Sequence, residues 1–220
     1  MSTELKKRII TSFFLIALLI LMYLYSFIMI ISLVIIATII WIEFYALISK
    51  ILFKDSFRNK FLRFLYKSIS LLYLTVLVYL VFIIESHQFD LKIYLLYSIL
   101  VAVLSDIGGL VFGKIFKGKK LTKISPNKTI SGSIGSFLFS LVLVPIFLYD
   151  LKENDLFTIV LITIVISTIS QLGDIFISYL KRKAKVKDTS DLLPGHGGFL
   201  DRVDGIIFAI PVGILLFNYF

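Results

Sequence analysis

The sequence contains no cysteine, and only two histidines and four prolines occur among its 220 residues. Without cysteine, the chain has neither a disulfide framework nor a metal site built on thiolates. Charged residues are also scarce at 17%, whereas hydrophobic residues make up 59%. Soluble domains of this size are closer to half apolar, so the composition indicates an integral membrane protein.

Seven apolar runs approach or exceed the roughly 20 residues that a helix needs to cross a bilayer. Backbone groups cannot remain unpaired in hydrocarbon, so the predicted fold is all-α and polytopic. The first run follows three basic residues but lacks a small-residue cleavage site, which favours a retained helix over a signal peptide. The predicted spans cover about residues 9–25, 27–49, 68–84, 92–113, 132–149, 156–180 and 205–220.

Positive charge falls almost entirely on one side of these spans. All of the 23 Lys and Arg residues except Lys92 and Lys152 lie in the N-terminal segment or after the second, fourth and sixth spans. The positive-inside rule therefore places the N-terminus and these connections in the cytoplasm. Topology and anionic lipid headgroups explain the net charge of +9, so we expect the bilayer and not nucleic acid as a partner.

The chain is predicted to consist of two regions. Residues 1–90 hold about three spans and a basic-aromatic cytoplasmic segment near 50–67. That segment fits an interfacial helix on an anionic leaflet, and it fits a plain loop equally well. Residues 91–220 hold about four spans and form the candidate catalytic region, with cytoplasmic loops at 114–131 and 181–204.

Acidic residues inside apolar spans are costly, which makes each of them a candidate for a function. Glu43 lies near the cytoplasmic end of the second span beside two aromatic residues, which favours an interfacial anchor. Asp106 lies deeper, on the same helical face as Gly109 and Gly113. Close helix packing explains the glycines but not the acid. Asp106 is therefore a candidate site residue.

The sixth predicted span carries Asp174, Ser178 and Lys181 at positions i, i+4 and i+7 of one helical face. A polar stripe can simply hold helices together. However, the Asp and the Lys are two turns apart, which is too far for a direct i,i+4 pair. We therefore expect a ligand between them, with a cation at the carboxylate and a phosphate at the ammonium.

Asp201 and Asp204 are three residues apart, so a helical turn would direct both carboxylates the same way. Oxygen ligands without cysteine or paired histidine favour a hard cation such as Mg²⁺. Phosphates complete the shell of Mg²⁺ in many phosphoryl- and nucleotidyl-transfer sites. Two Asp residues three positions apart are common in proteins, so this spacing alone is weak evidence for a metal site. Asp174 and the neighbouring basic run make the prediction more specific.

Two loops are suited to anions. The turn PGHGG, at 194–198, lets backbone N–H groups approach an anion closely and carries His196. The connection after the fourth span, KGKKLTKISPNKTISGSIGS, leads Lys, Ser and Thr residues into a helix start, which suits phosphate. It is not a Walker A sequence, because Gly-Lys-Ser/Thr at the required spacing is missing.

Two stretches of the chain resemble the phosphatidate cytidylyltransferase family. The first is SQLGDIFISYLKRKAKVKD followed by LLPGHGGFLDRVD, and the second is SDIGGLVFGKIFKGKKLTKISPNKTISG. Together they cover roughly the C-terminal half. The resemblance implies an enzyme of the bacterial inner membrane that condenses CTP with phosphatidate, giving CDP-diacylglycerol and pyrophosphate. CTP, phosphatidate and the bilayer are then the expected partners, with a homodimer as a further candidate.

The resemblance also implies roles for individual residues. Asp174, Asp201 and Asp204 correspond to the acids that bind Mg²⁺, with or without a second cation, and Lys181 to the lysine of the site. Ser131 stands where the family commonly has Glu, so no acid role is assigned there. The wider set of candidate substrate- and phosphate-binding residues is Ser125, Asn127, Lys128, Thr129, Ser178, Arg182, His196, Gly197, Gly198, Arg202 and Asp106.

Two other functions remain open at this stage. One is a different CTP-dependent lipid enzyme, such as a polyprenol or phytol kinase. The other is a transporter whose path is lined by Asp106, Asp174 and Lys181. A transport path requires charges deep in the bilayer and access from both sides, whereas these groups are predicted to cluster near one face.

Overall fold

The computed structural model describes residues 3–87, 91–122, 125, 128–151 and 155–219. These parts of the chain are mostly helical and contain no β-strand, only two isolated bridges. The prediction of an all-α protein is confirmed. The helices are α1 (Thr3–Leu24), α2 (Ser26–Ile51), α3 (Phe57–His87), α4 (Leu91–Phe116), α5 (Ile130–Leu141), α6 (Leu143–Phe147), α7 (Leu156–Lys183), α8 (Leu200–Val203) and α9 (Ile206–Tyr219).

Five of the described helical stretches are long and apolar enough to cross a membrane, which agrees with a polytopic membrane protein. They are Ser26–Ile51, Phe57–Glu85, Lys92–Phe116, Ile130–Phe147 and Leu156–Lys183. A shorter apolar helix covers Ile10–Leu24, and α9 has 14 residues with Pro211 inside it. Each of the predicted second to sixth spans therefore corresponds to a helical stretch long enough to cross the membrane. The total of seven spans and the cytoplasmic N-terminus stay predictions.

The fifth predicted span is broken into α5 and α6 at Val142. Pro145 has no backbone N–H and cannot donate to the carbonyl of Leu141, so the helix is interrupted at this point.

The basic-aromatic segment is helical from Phe57 onward, where it forms the first turns of α3 and not a separate helix. Lys67 links α3 to α2 at this level. Its ammonium lies 5.0 Å from the ring centroid of Trp41 and 4.9 Å from that of Tyr45. The indole N–H of Trp41 donates to the carbonyl of Lys67 at 3.1 Å.

The chain forms two compact units. The first unit contains Met1–Glu85 and Leu180–Val203, and the second contains Ser86–Tyr179 and Asp204–Phe220. Helix α7 thus contributes most of its length to the second unit and its last turn to the first. The division into regions 1–90 and 91–220 stays a prediction.

Close packing of α4 against α5 organises the second unit. A Cβ atom added to Gly108 would lie 2.3 Å from the carbonyl oxygen of Gly135, and one added to Gly109 would lie 2.8 Å from Ser136 Oγ. The absence of side chains on this face lets the two backbones approach each other. In the same unit, Tyr97 of α4 is fully buried, and its hydroxyl lies 2.6 Å from Thr163 Oγ1 of α7.

Candidate functional site

In the second unit, the connection between α4 and α5 folds back on itself before α5 begins. Leu121 N donates to the carbonyl of Lys128 at 2.8 Å, and Ile130 N donates to that of Lys119 at 3.0 Å. Thr129 then caps α5, because its hydroxyl accepts from Gly132 N at 3.0 Å. This turn fixes the backbone of Lys128 at the start of the helix.

Lys128 forms an ion pair with Asp174 of α7. Ser178, one turn further along α7, donates to Asp174 Oδ1 at 3.3 Å. The Lys128 and Asp174 side chains are 23% and 25% exposed, so solvent reaches both. The predicted phosphate-binding lysine and the predicted metal-binding acid are therefore direct partners here, and Ser178 belongs to the same cluster.

Asp204 is buried beside the turn of α7 that carries Asp174. Its own Oδ1 accepts from Gly205 N at 3.0 Å. Gly173 allows the approach, because a Cβ atom on it would lie 2.7 Å from the carbonyl oxygen of Asp204. Gly205 is equally tight, since its Cβ atom would lie 2.4 Å from Ser170 Oγ.

In the first unit, Asp201 binds four donor groups. Lys181 Nζ lies 2.6 Å from Oδ1, and Oδ2 accepts from Thr189 N at 2.8 Å, Thr189 Oγ1 at 2.9 Å and Gly198 N at 3.0 Å. Burial acts to raise the pKa of Asp201, but the hydrogen bonds from Lys181, Thr189 and Gly198 outweigh it and lower that pKa. Asp201 thus favours its ionised form beside Lys181, and the two side chains are shielded, at 3% and 12% exposed.

The glycine turn of the first unit is closed by hydrogen bonds between Leu193 N and the carbonyl of Gly197, and between His196 N and the carbonyl of Leu193, each 2.8 Å long. Gly195 and Gly197 have φ values of 78° and 80°, which favour glycine. Arg202 holds the turn from outside by donating Nε and NH2 to the carbonyl of His196.

His196 and Pro194 connect this turn to α1. His196 Nε2 lies 3.3 Å from Ser12 Oγ, and Thr11 Oγ1 donates to the carbonyl of Pro194 at 3.0 Å. The other ring nitrogen, Nδ1, is buried and has no hydrogen-bond partner within the described residues. The histidine therefore faces protein on both sides of its ring.

Glu43 of α2 has a role in this cluster that the sequence did not predict. The residue is only 5% exposed. Its carboxylate accepts from Thr189 Oγ1 and Ser190 Oγ, and from the backbone amides of Phe199 and Leu200. The interpretation of Glu43 as an interfacial anchor was wrong, because its side chain is buried and surrounded by donors of the protein itself. Every one of these donors lies at least 146 residues away along the chain, so the sequence could not reveal them.

A model of the cytidylyltransferase family matches residues 2–220. The chain belongs to this family. Phosphatidate cytidylyltransferases of Staphylococcus haemolyticus, Staphylococcus epidermidis and Staphylococcus aureus are 43%, 44% and 42% identical to it over 121, 123 and 121 residues. Each of these matches covers 54% of this chain and 46% of the relative. The chain thus spans about half the length of the curated relatives it matches.

The remaining predicted residues of this cytidylyltransferase-family chain lie in both units. In the second unit, Ser125 N is held by Thr122 Oγ1 at 3.1 Å, and Asp106 lies half-buried on α4. Arg182 is exposed in the last turn of α7, in the first unit. Asn127 lies outside the described residues.

The acids that were predicted to bind Mg²⁺ differ in how well they fit that role. In the part of the chain that the structure describes, no three His, Asp or Glu side chains form a group that could hold a metal ion. A carboxylate has about four acceptor positions, and Asp201 uses three of them on the Lys181 ammonium and two backbone amides. The Thr189 hydroxyl, which also contacts Glu43, lies against the fourth, so Asp201 fits less well than Asp174 as a ligand in this arrangement. Asp174 has acceptor positions left beside Lys128 and Ser178, and it fits.

Proposed function

We propose that the chain transfers a cytidylyl group from CTP to phosphatidate, giving CDP-diacylglycerol and pyrophosphate. The family match across residues 2–220 carries this proposal. The names of the relatives and the lysine–aspartate pairs in the two predicted phosphate-binding stretches support it further. A location in the inner membrane, a site that faces the cytoplasm and a homodimeric assembly complete the proposal.

In this reaction an oxygen of the phosphatidate phosphate attacks the α-phosphorus of CTP. The phosphorus gains a bond to that oxygen and loses its bond to the bridging oxygen of pyrophosphate, which leaves with the electron pair. A phosphate monoester is already anionic near neutral pH, so no general base is required. The acyl chains stay in the bilayer while the headgroup reacts at its surface.

The chain's own contribution is charge and position. Lys181, Arg182 and Arg202 of the first unit would neutralise the negative charge that develops on the transferring and leaving oxygens. Lys128 of the second unit is a further candidate for binding phosphate. Lys181 and Lys128 are each held by a carboxylate, which fixes the position of the ammonium before the substrates arrive.

We also propose Mg²⁺ as the cofactor, which would supply further neutralisation of the phosphates when bound. Asp174, Asp201 and Asp204 remain the proposed ligands. Asp174 has the acceptor capacity for this role. Asp201 would first have to give up hydrogen bonds, so we derive no step of the reaction through the metal.

The proposal is tested with the purified full chain in lipid nanodiscs, supplied with CTP, phosphatidate and Mg²⁺ and with each omitted in turn. Label on the cytidine ring is expected to enter the lipid only when CTP and phosphatidate are both present. Transfer of label from the γ-phosphate alone would instead identify a lipid kinase. No lipid labelling in the complete mixture would refute the proposed reaction.

A further inference from the structure

We propose that Glu43 is a positioning residue for the transfer reaction. Its carboxylate holds both ends of the segment from Thr189 to Leu200, which we call the clamped loop, and thereby sets the position of Asp201 and Lys181. The role of Glu43 in catalysis rests on the proposed function. The hydrogen bonds by which Glu43 holds the clamped loop are a feature of the first unit and do not depend on that function.

The carboxylate of Glu43 joins two parts of the chain that are about ten residues apart in sequence. From the first end of the clamped loop, Ser190 Oγ donates to Oε1 at 2.6 Å and Thr189 Oγ1 lies 3.1 Å from Oε2. From the second end, Phe199 N donates to Oε1 at 3.1 Å and Leu200 N donates to Oε2 at 2.8 Å. Three of these groups donate to Glu43 alone, and the Thr189 hydroxyl is shared with Asp201, so the carboxylate is surrounded by donors.

Two residues extend this contact from Glu43 to Asp201. The hydroxyl of Thr189 lies 3.1 Å from Glu43 Oε2 and 2.9 Å from Asp201 Oδ2, so the single hydroxyl proton lies between two carboxylates. Gly198 N donates to Asp201, and a Cβ atom on Gly198 would lie 2.6 Å from Glu43 Oε1. Asp201 in turn holds Lys181 at 2.6 Å.

The position of Glu43 indicates a use beyond holding helices together. A carboxylate on an apolar span is costly unless donors surround it. Within the described residues, the donors to Glu43 come from the clamped loop, and α2 contributes none of them. Helix α2 therefore provides a fixed point to which the clamped loop is fastened.

Glu43→Gln tests the role because it preserves shape but replaces one acceptor oxygen by a donor NH2 group. That group would face the donors of the clamped loop. Glu85→Gln is the matched control, since it makes the same chemical change at a half-buried glutamate of α3 that accepts a hydrogen bond from Ser26 and contacts no residue of the clamped loop in the described hydrogen bonds. Glu43→Gln should misplace the Lys181–Asp201 pair. We therefore expect the kcat of this variant to fall about 10- to 100-fold, with its KM for CTP and phosphatidate within about threefold of wild type. The control should retain both constants.

A second measurement does not depend on activity. The chain has no cysteine, so Leu192→Cys creates a unique attachment point in the clamped loop at a position that is 54% exposed. A spin label there should become more mobile with Glu43→Gln and remain unchanged with Glu85→Gln. If Glu43→Gln fails to insert, Ser190→Ala removes the 2.6 Å hydrogen bond to Glu43 together with the longer one, 3.3 Å, that Ser190 Oγ accepts from Leu192 N. It leaves the other donors to Glu43 in place, so it should lower kcat in the same direction as Glu43→Gln, by less.

The outcomes separate the two proposals. Unchanged label mobility would overturn the clamp, and increased mobility with wild-type kcat would overturn its positioning role. If the wild-type chain transfers no cytidylyl group at all, the proposed function fails and the catalytic role of Glu43 fails with it. The spectra would still decide whether Glu43 fastens the clamped loop.

Discussion

At the scale of single residues, the candidate acids of each unit are matched with donors. In the first unit, Asp201 has Lys181 and two backbone amides, Glu43 has Ser190 and two backbone amides, and the Thr189 hydroxyl contacts both. In the second unit, Asp174 has Lys128. A buried charge is tolerated only when it is paired in this way. Removing one member of a pair is therefore more harmful than the strength of the pair suggests, because the other charge is left behind.

Lys181→Met is the sharpest case. It leaves the Asp201 side chain, which is 3% exposed, without its cationic partner. We expect the free energy of unfolding in detergent to fall by about 3 kcal/mol and transfer to be lost. Lys187→Met, at an exposed lysine of the same unit, is the control and should unfold like the wild type. An unfolding midpoint equal to that of the control would contradict the importance of the pair.

The ionisation of Asp201 makes this stabilisation dependent on pH. Because the folded-state pKa of Asp201 is lowered, its contribution is fully present above the unfolded value and is lost as pH falls through the folded value. The difference in unfolding midpoint between wild type and Asp201→Asn should stay constant near neutral pH and shrink below about pH 4. A difference that grows in acid would show that the pKa is raised.

The pairing of residues is the part of the site that sequence reasoning could not predict. Spacing along the chain predicted Asp174, Ser178 and Lys181 on one helical face, and all three residues lie on α7. It could not reveal that Asp174 pairs with Lys128 and that Lys181 pairs with Asp201, because both partners come from other segments. Glu43 could be recognised as unusual because the sequence shows an acid inside an apolar span. It was misinterpreted because the sequence does not show its donors.

At the scale of helices, apolar run lengths predicted the elements well. The deviations have local causes, such as Pro145 in the fifth predicted span and the continuous helix from Phe57 through the basic-aromatic segment. The glycine pattern of α4 was correctly interpreted as close packing, although α5 could not be identified as its partner from the sequence. Gly135 of α5 is as tightly enclosed as Gly108 of α4.

Two glycine substitutions should separate tight from loose packing between α4 and α5. A Cβ atom on Gly135 would lie 2.4 Å from Phe112 Cβ and 2.7 Å from the carbonyl of Gly108, so Gly135→Ala must push the helices apart. We expect a loss of about 1–3 kcal/mol in unfolding free energy. Gly113→Ala, where the nearest atom is Thr129 Oγ1 at 3.2 Å, should cost less. Equal unfolding midpoints for the two variants would contradict this ranking.

At the scale of the whole molecule, the family match and the apolar helices establish a membrane-embedded member of the cytidylyltransferase family. The orientation of the chain in the bilayer is predicted from charge alone and stays a prediction. If the proposed function is correct, the orientation also has a chemical consequence, because CTP is found in the cytoplasm. The loops rich in lysine must then lie on that side.

The cysteine-free chain allows this orientation to be measured directly with single substitutions. Lys119→Cys and Lys187→Cys lie in the connections that are predicted to be cytoplasmic, whereas Asp150→Cys lies in a predicted outer connection, and all three positions are exposed. In intact cells, a membrane-impermeant maleimide should label only Asp150→Cys. After the membrane is permeabilised it should label all three, which controls for reactivity. The reverse pattern would invert the topology, and it would place the basic connections on the side away from CTP.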